Sequence, residues 1–480
     1  MQRNFIFVLL LSLTCFGFTS ESFCFQRSGG SVSDDGAISV PPLTGLGRGI
    51  NFGNMLEAPN EGDWGLFVEE EFFDLVVAAG FDHIRMPISW THHADLSAPF
   101  LIEESFFQRV DWVVDQAVSR GLKIIVNNHH YDELNDDPNG EAVRALTLWQ
   151  QIATRYQSEP VDKVYFEILN EPHGVFNDDP ELWNQFMIDA LAVIRQTNPT
   201  RKVVVGPTRW NSVYSLNSFS PPTDPNLLAT VHFYAPFEFT HQGACWVDPT
   251  PPIGAQWHGD RVNVVGGLQN WSWNTTLEPM TGGLQVTYDA AWAGLQLHNP
   301  SGYQNVSEVR VTVSNSTNLR LIVWNNDSNN ELIFSLPDSN GEVTHVVDVS
   351  SFNEPITNII LQNHMASPQP SLIVSEFEVR SRRRFSLIED ETQALRNALR
   401  LALIWSVRNK VPMYLGEFGA FEPGDFDSRV RWTTAVRETV EGYQFDWACW
   451  EFGAGFGIYD PAVGVWRVPL TQALIPEFQN

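Results

Sequence analysis

Val164-Tyr165-Phe166-Glu167-Ile168-Leu169-Asn170-Glu171-Pro172 is the stretch on which the reading of the fold turns. Val164–Glu171 has the length and apolar content of a strand, stops at a proline, and carries a carboxylate at its end. Amphipathic helical patterns flank it, Ala142–Tyr156 before and Leu182–Arg195 after. The same strand–helix rhythm continues in both directions. Toward the N-terminus lie a strand Lys123–His130, a helix Phe106–Ser119 with Val110, Val113, Val114 and Ala117 on one face, a strand His83–Trp90, a helix Leu66–Ala79 and a first strand Arg48–Asn54. Toward the C-terminus come Val203–Pro207, a short helical piece, and Leu227–Tyr234.

The rhythm stops near Gly259 and resumes near residue 386, with a helix Thr392–Val407, a strand Met413–Phe418, a helix Arg429–Val440, a strand Phe445–Glu451 and a closing helix Leu470–Phe478. Six strand–helix units precede the break and two follow it. Eight such units predict a closed (β/α)8 TIM barrel, an α/β fold with a parallel sheet. The interrupting segment, 259–385, is rich in Asn, Ser, Thr and Val. Its runs Leu284–Tyr288, Val309–Val313, Leu319–Trp324, Thr344–Val349 and Ile356–Leu361 read as strands of an antiparallel β-sandwich. It follows strand six, so it leaves from the barrel end where loops build active sites. Five Asn-x-Ser/Thr acceptors, at Asn270, Asn274, Asn305, Asn315 and Asn326, all fall inside it. They mark glycan sites or reflect an Asn/Ser/Thr-rich β-domain. The expected division is 1–22 export signal, 23–40 flexible lead-in, 41–258 first barrel part, 259–385 insert and 386–480 second barrel part.

Composition narrows the function. The formal net charge of −28 argues against nucleic acid and anionic membrane as partners, because both call for basic surface. Arg3 followed by the apolar run Phe5–Phe18 and small polar residues reads as an export signal, so the mature chain is expected to be extracellular or periplasmic. Of the four cysteines, Cys15 should leave with the signal and Cys24 lies close behind it. Cys245 and Cys449 are left as a candidate pair whose separation sequence does not show. The chain is expected to act as a monomer without a cofactor.

Two glutamates stand out. Glu171 closes strand four, and Glu417 closes strand seven in Tyr414-Leu415-Gly416-Glu417-Phe418-Gly419. A carboxylate ending an apolar strand is costly unless it is paired or used. Retaining glycoside hydrolysis needs two carboxyl groups roughly 5–5.5 Å apart, and strand ends on one barrel face can hold such a pair. The segments Arg48-Gly49-Ile50-Asn51-Phe52-Gly53-Asn54, His83-Ile84-Arg85-Met86-Pro87, Leu169-Asn170-Glu171-Pro172 and Gly416-Glu417-Phe418-Gly419 resemble glycoside hydrolase family 5 over about 41–257 and 386–480. The resemblance implies a retaining hydrolase of β-linked polysaccharide, with Glu171 as acid/base and Glu417 as nucleophile. It further implies that Asn170 holds the sugar 2-hydroxyl, that Arg85 keeps the nucleophile ionised, that His129, His232 and Tyr234 are the polar residues of strands three and six, and that Trp450 floors the reacting sugar. On this reading Arg85 and Tyr234 lower the pKa of Glu417, and the charge of Glu417 raises that of Glu171. Phe239-Thr240-His241-Gln242-Gly243-Ala244 resembles bacterial-type cellulases of the family, which favours β-1,4-glucan.

Other residues carry two readings. Glu167 shares the facing of Glu171 and is expected to be a buried ion-pair member. His130 adjoins His129 on a strand, so only one of the two should point inward. Neighbouring histidines diverge and no HExxH is present, so no catalytic metal is expected, structural calcium alone staying open. Trp64, Trp90, Trp210, Trp246 and Trp257 are candidates for stacking on distal sugars, against core packing. In the insert, Gly267-Leu268-Gln269-Asn270-Trp271-Ser272-Trp273-Asn274 and Ala291-Trp292-Ala293-Gly294-Leu295 resemble β-sandwich modules found beside polysaccharide-degrading enzymes. That makes Trp271, Trp273, Trp292 and Trp324 candidate sugar-stacking residues, against a packed sandwich that shapes the cleft. The leading expectation is an endo-β-1,4-glucanase. A mannanase, β-1,3-glucanase or exo-glucosidase on the same machinery, or a non-catalytic carbohydrate-binding protein, are the alternatives.

Overall fold

The structure, a computed structural model, describes residues 45–479 apart from 258, 260, 261, 265–268, 281, 282, 382, 383 and 387. The export signal expected over 1–22, the lead-in over 23–40, and Cys15 and Cys24 within them lie outside the described residues. The described chain divides into two compact units, one ending at Trp257 and resuming at Asn397, the other spanning 258–396.

The first unit is the expected barrel. Eight parallel strands close on themselves: β1 (Arg48–Asn51), β2 (His83–Met86), β3 (Lys123–Asn127), β4 (Val164–Glu167), β5 (Val203–Val205), β6 (Leu227–Phe233), β7 (Met413–Phe418) and β8 (Asp446–Cys449). Closure is made by β8 on β1, with Ile50 opposite both Ile84 and Cys449. Strands covered on both faces can be apolar throughout, and Ile50, Ile84, Ile124, Val126, Phe166 and Val204 are all fully buried.

Two of the connecting helices start earlier than apolar periodicity indicates, while the first, expected from Leu66, starts at Glu70. Asp137 and Asp179 each cap a helix with their side chain, accepting from the N–H of Gly140 and Glu181, and a proline follows each cap. These helices therefore run Pro138–Arg155 and Pro180–Arg195. The polar residues of a first turn carry no apolar stripe, so they escape a periodicity reading.

At their C-terminal ends several strands stop sooner than expected. The β2 ladder ends at Met86, not Trp90; β3 at Asn127, not His130; β4 at Glu167, not Glu171; β8 at Cys449, not Glu451. The residues beyond the ladder, among them His129, Asn170, Glu171 and Trp450, leave the sheet at the barrel mouth.

The second unit contains two large antiparallel sheets and a two-stranded one, 262–264 with 388–390. One large sheet runs 342–348, 308–314, 369–380, 283–288, 275–280, with 384–386 beside 369–380. The other runs 330–335, 319–325, 356–363, 294–303, 269–270. Leu284, Val286, Val309, Val311 and Phe377 of the first share one apolar core with Leu295, Leu297, Leu321, Val323 and Leu361 of the second. The strands 275–280, 294–303, 330–335 and 369–380 escaped the sequence reading because polar residues dilute their alternation. No helix among the described residues is long and apolar enough to cross a membrane.

Candidate active site

The site is built around one guanidinium. β2 carries Arg85, whose side chain is fully buried at the centre of the barrel mouth. Its Nε and Nη2 donate to Glu167 Oε2 and Oε1 at 2.6 and 2.7 Å. Nη1 donates to Glu417 Oε1 at 2.7 Å and Asn51 Oδ1 at 2.9 Å, and Nη2 also donates to Asn170 Oδ1 at 2.8 Å. These contacts use all the N–H groups a guanidinium offers. Glu167 is thus the buried ion-pair partner expected from its position. Removing one member of such a pair leaves an uncompensated buried charge, at about 3–5 kcal/mol.

Glu417 is aimed by a defect in its own strand. The β6–β7 register shifts between Leu415 and Glu417, so Gly416 is an extra residue that bulges the ladder. A Cβ at Gly416 would sit 2.6 Å from Thr230 Oγ1 and 3.0 Å from His232 Nε2, so only glycine fits. Asn51 Nδ2 donates to the carbonyl of Gly416 at 3.0 Å and pins the bulge. The second oxygen of Glu417 accepts from the Tyr234 hydroxyl at 2.9 Å and lies 3.5 Å from His232 Nδ1.

Glu171 follows β4 in left-handed backbone, with φ of 49°, which turns its side chain toward the mouth. Its Oε1 lies 2.7 Å from His232 Nδ1. About a quarter of its side chain, 23%, stays accessible, against 6% for Glu417. Oxygens of Glu171 and Glu417 and Nδ1 of His232 fall within 4.8 Å of one another. Among the described residues this is the one grouping with the spacing of a cation site. Its atoms are already engaged with Arg85, Tyr234 and each other.

The electrostatics separate the two carboxyls and correct one expectation. Burial pushes Glu171 up to about 7, with His173 and Arg85 opposing and the charge of Glu167 adding. Burial therefore comes before the expected charge of Glu417 as the cause, and the coupling of the two carboxyls shows as a rise in Glu417. Glu417 is also raised, by burial first. His232, Arg85 and Tyr234 pull it down while Glu171 adds to the rise, so the expected net lowering does not hold. Burial holds Tyr234 well above the usual phenol range, keeping it a donor. Burial lowers His232 to about 4 and His129 well below the usual imidazole range, so both rings are neutral near pH 7.

Trp450 and His129 stack with ring centres 5.5 Å apart and planes 11° apart. A Cβ at Gly53 would lie 2.9 Å from the Trp450 ring, so that glycine makes room for the indole. Of the adjacent histidines, His129 joins this stack, while His130 meets the edge of Trp64 at 5.8 Å. Trp210 stacks on His173 at 5.2 Å and 11°. Trp246, 44% exposed, leans on Phe421 at 4.8 Å. Two of the five tryptophan candidates are structural instead. Trp90 is fully buried and donates to the Asn127 carbonyl at 2.9 Å, and Trp257 is 2% exposed. Neither presents a face to a ligand. Cys245 is exposed and Cys449 buried, and both are free thiols, so the candidate pairing does not occur.

Four buried polar positions escaped the sequence reading: Asn51, Asn211, Glu57 and Glu451. Asn51 sits inside Arg48–Asn54, and its part in the site follows from the hydrogen bond it accepts from Arg85. Glu57 and Glu451 are both buried. Glu57 accepts from the N–H groups of Asn54 and Met55, and Glu451 Oε1 from Phe456 N–H at 3.3 Å. Burial first raises both, Glu57 to about 7 with the charge of Glu417 adding, and Glu451 to about 8 with the charge of Glu57 adding. The available signal was a glutamate adjoining Trp450 in a strand otherwise free of acid toward its end.

In the second unit none of the four tryptophans enters the apolar core. Trp271, 43% exposed, stacks on His298 at 3.7 Å and 9°. Trp273 lies against Gly294 and donates to the Trp292 carbonyl at 2.9 Å. Trp292 is 46% exposed in left-handed backbone. Trp324 pairs with Asn358 on the neighbouring strand, on the same outward face as His298 and Gln296.

Comparison with known proteins agrees with this geometry. The profile of the cellulase family, glycosyl hydrolase family 5, matches residues 47–330. Endoglucanase H of Acetivibrio thermocellus is 42% identical over 197 residues, which is 41% of this chain and 22% of that protein. Endoglucanase 3 of Fibrobacter succinogenes is 28% identical over 239 residues, 44% of this chain and 35% of its own length. The chain thus spans between about a fifth and a third of these curated relatives. Among solved structures, Thermotoga maritima Cel5A in complex with cellobiose matches at a TM-score of 0.61 and 31% identity, covering 89% of this chain and 97% of that one. The same enzyme in complex with mannotriose matches equally well. With the profile spanning more than half of its length, the chain belongs to glycosyl hydrolase family 5.

Proposed function

We propose that the chain hydrolyses internal β-1,4-glucosidic bonds of cellulose or a related β-glucan with retention of configuration. The observation that carries this is the Glu171–Glu417 pair, with oxygens within 4.8 Å and unequal surroundings. The spacing suits a retaining mechanism, since inverting pairs stand roughly 6.5–9.5 Å apart. Glu417, held by Arg85 and Tyr234, attacks the anomeric carbon. Glu171, protonated below about pH 7, gives its proton to the departing oxygen. The glycosyl ester neutralises Glu417. Glu171 then takes a proton from water, whose oxygen attacks the same carbon and releases Glu417. Asn170 gives its carbonyl oxygen to Arg85, which leaves its NH2 group to donate to the sugar 2-hydroxyl. The Trp450–His129 stack supplies an aromatic face to the sugar C–H face.

The relatives named endoglucanases support this substrate. The complete arginine network supports an enzyme over a non-catalytic carbohydrate-binding barrel. One solved relative is described with both cellobiose and mannotriose, which keeps mixed glucan and mannan substrates in view. The test is a panel of carboxymethylcellulose, glucomannan, laminarin and xylan with product sizing. A fast fall in carboxymethylcellulose viscosity, with β-configured reducing ends, is expected. Cleavage of laminarin alone, or release of glucose alone, would overturn the reading.

A second reading concerns the insert. The outward face of its 294–303 sheet sets Trp271 over His298, with Gln296, Asn358 and Trp324 beside it. The exposed aromatic surface of Trp271 and Trp292 suits a pyranose chain, so the insert is proposed to bind the polysaccharide. Residues 1–22 are proposed to export the protein to that substrate.

A further inference from the structure

We infer that Asn211 fixes the tautomer of His232, and so keeps the proton of Glu171 free for the departing oxygen. This rests on the acid/base role proposed for Glu171, and it names a positioning residue that does not touch substrate.

After β5 the backbone passes through three consecutive left-handed residues, Arg209, Trp210 and Asn211, with φ of 58°, 57° and 55°. Such a run is unfavourable for side-chain-bearing residues and persists only where its surroundings hold it. Here the N–H of Arg209 donates to Asn177 Oδ1 at 2.8 Å and that of Trp210 to the Pro172 carbonyl at 3.3 Å. The run delivers the Asn211 side chain, fully buried, to the rear edge of His232, with Nδ2 3.2 Å from Nε2. Gly206 leaves the room, because a Cβ there would lie 2.1 Å from Asn211 Oδ1. Among the described residues that Oδ1 has no hydrogen-bond partner. The buried amide therefore serves a single hydrogen bond.

The orientation follows from the opposite ring edge. His232 Nδ1 faces Glu171 at 2.7 Å and Glu417 at 3.5 Å, both acceptors when ionised. Arg85 and Glu167 act on the ring through space, and His129 approaches from β3. A neutral ring carries one proton. With Asn211 donating to Nε2, that proton stays on Nδ1. When Glu171 is ionised, Nδ1–H donates to it. When Glu171 is protonated, Nδ1 cannot accept, so the acid proton is not captured by the imidazole. Without Asn211 the ring can turn to the Nε2–H form, and the bare Nδ1 becomes an acceptor for the Glu171 proton.

The test reads the tautomer directly by 15N NMR of the imidazoles, with His232→Gln assigning the resonance. Spectra are taken at about pH 5 and pH 9, on either side of the Glu171 titration. The wild type should show Nδ1–H and bare Nε2 at both. Asn211→Gly suits the left-handed backbone and removes the amide; it should turn the ring to Nε2–H at low pH. Asn211→Asp, which can only accept, should place a proton on Nε2. With its donor lost, ionised Glu171 is less favoured. The alkaline limb of kcat/KM in Asn211→Gly should therefore move to higher pH, and kcat should fall about tenfold with KM little changed. Wild-type protein in the Nε2–H form, or both variants folded with Nδ1–H and the wild-type limb, would overturn the inference. Failure of the substrate panel would instead strike the proposed reaction, since the spectra need no substrate.

Discussion

The barrel mouth and the outer face of the insert both set aromatic rings beside buried polar groups, and they differ in the charge of those groups. At the barrel mouth the polar groups are buried and paired: Arg85 is fully enclosed, its donors all engaged, and Glu417 is 4% exposed. On the insert, Trp271 and Trp292 keep close to half of their surface, while the amide groups beside Trp271, buried as well, are uncharged and meet in contacts such as Gln296 Nε2 to Asn358 Oδ1 at 2.9 Å. Burial makes the first region chemically active, because exclusion of water moves carboxyl pKa values and strengthens each charge–charge contact. Exposure leaves the second with stacking surface and no perturbed acid. On the proposed reading, one region reacts and the other holds.

The largest effect expected from this contrast is in Glu417→Ala, which should cut turnover on β-glucan at least about 10⁴-fold. Azide should restore activity and yield the α-glycosyl azide. Full activity without azide would remove Glu417 from the nucleophile role. The pH profile comes next. Activity should fall as pH rises through about 7, where Glu171 loses its proton, and should fall again in acid as Glu417 is protonated. An alkaline limb set instead near an ordinary carboxylate range would show that burial does not tune Glu171.

Glu57 and Glu451 extend the contrast to stability. Their folded-state values, about 7 and about 8, lie above the ordinary 4.5. Between about pH 5 and pH 8 the folded chain therefore holds protons that the unfolded chain has released, and stability falls as pH rises through that window. Glu451→Gln should flatten the fall of Tm from pH 5 to pH 8; an unchanged slope would show that the group is not protonated in the fold. The smallest effect belongs to the insert. Trp271→Ala and Trp324→Ala should weaken retention on insoluble polysaccharide about tenfold. They should leave hydrolysis of a soluble oligosaccharide within about twofold, since singly exposed side chains contribute little to stability. Equal loss of both would end the proposed division between reacting and holding.

Legibility followed the range of the interaction. Helix and strand periodicities are local, so the barrel was readable from repeating apolar spacings. Its strand ends were overread because the apolar character of Ile168 and Leu169 continues past the ladder that stops at Glu167. The insert's core strands were readable from Val and Leu alternation, while 330–335, with polar residues at both ends, was not. Trp90 and Trp257 looked like their exposed counterparts because a tryptophan's type does not tell which of its faces is covered.

Sequence alone determined the eightfold strand–helix order, the break after strand six, and two glutamates at or just past strand ends, because each is encoded in a short window of chain. The tertiary structure decided how Arg85 shares its donors, why Gly416 must bulge, that burial is the first cause of the raised Glu171, and that Asn211 stands behind His232. Those outcomes depend on distances between groups that lie far apart along the chain, and electrostatic and hydrogen-bond energies are set by distance and burial rather than by order in sequence.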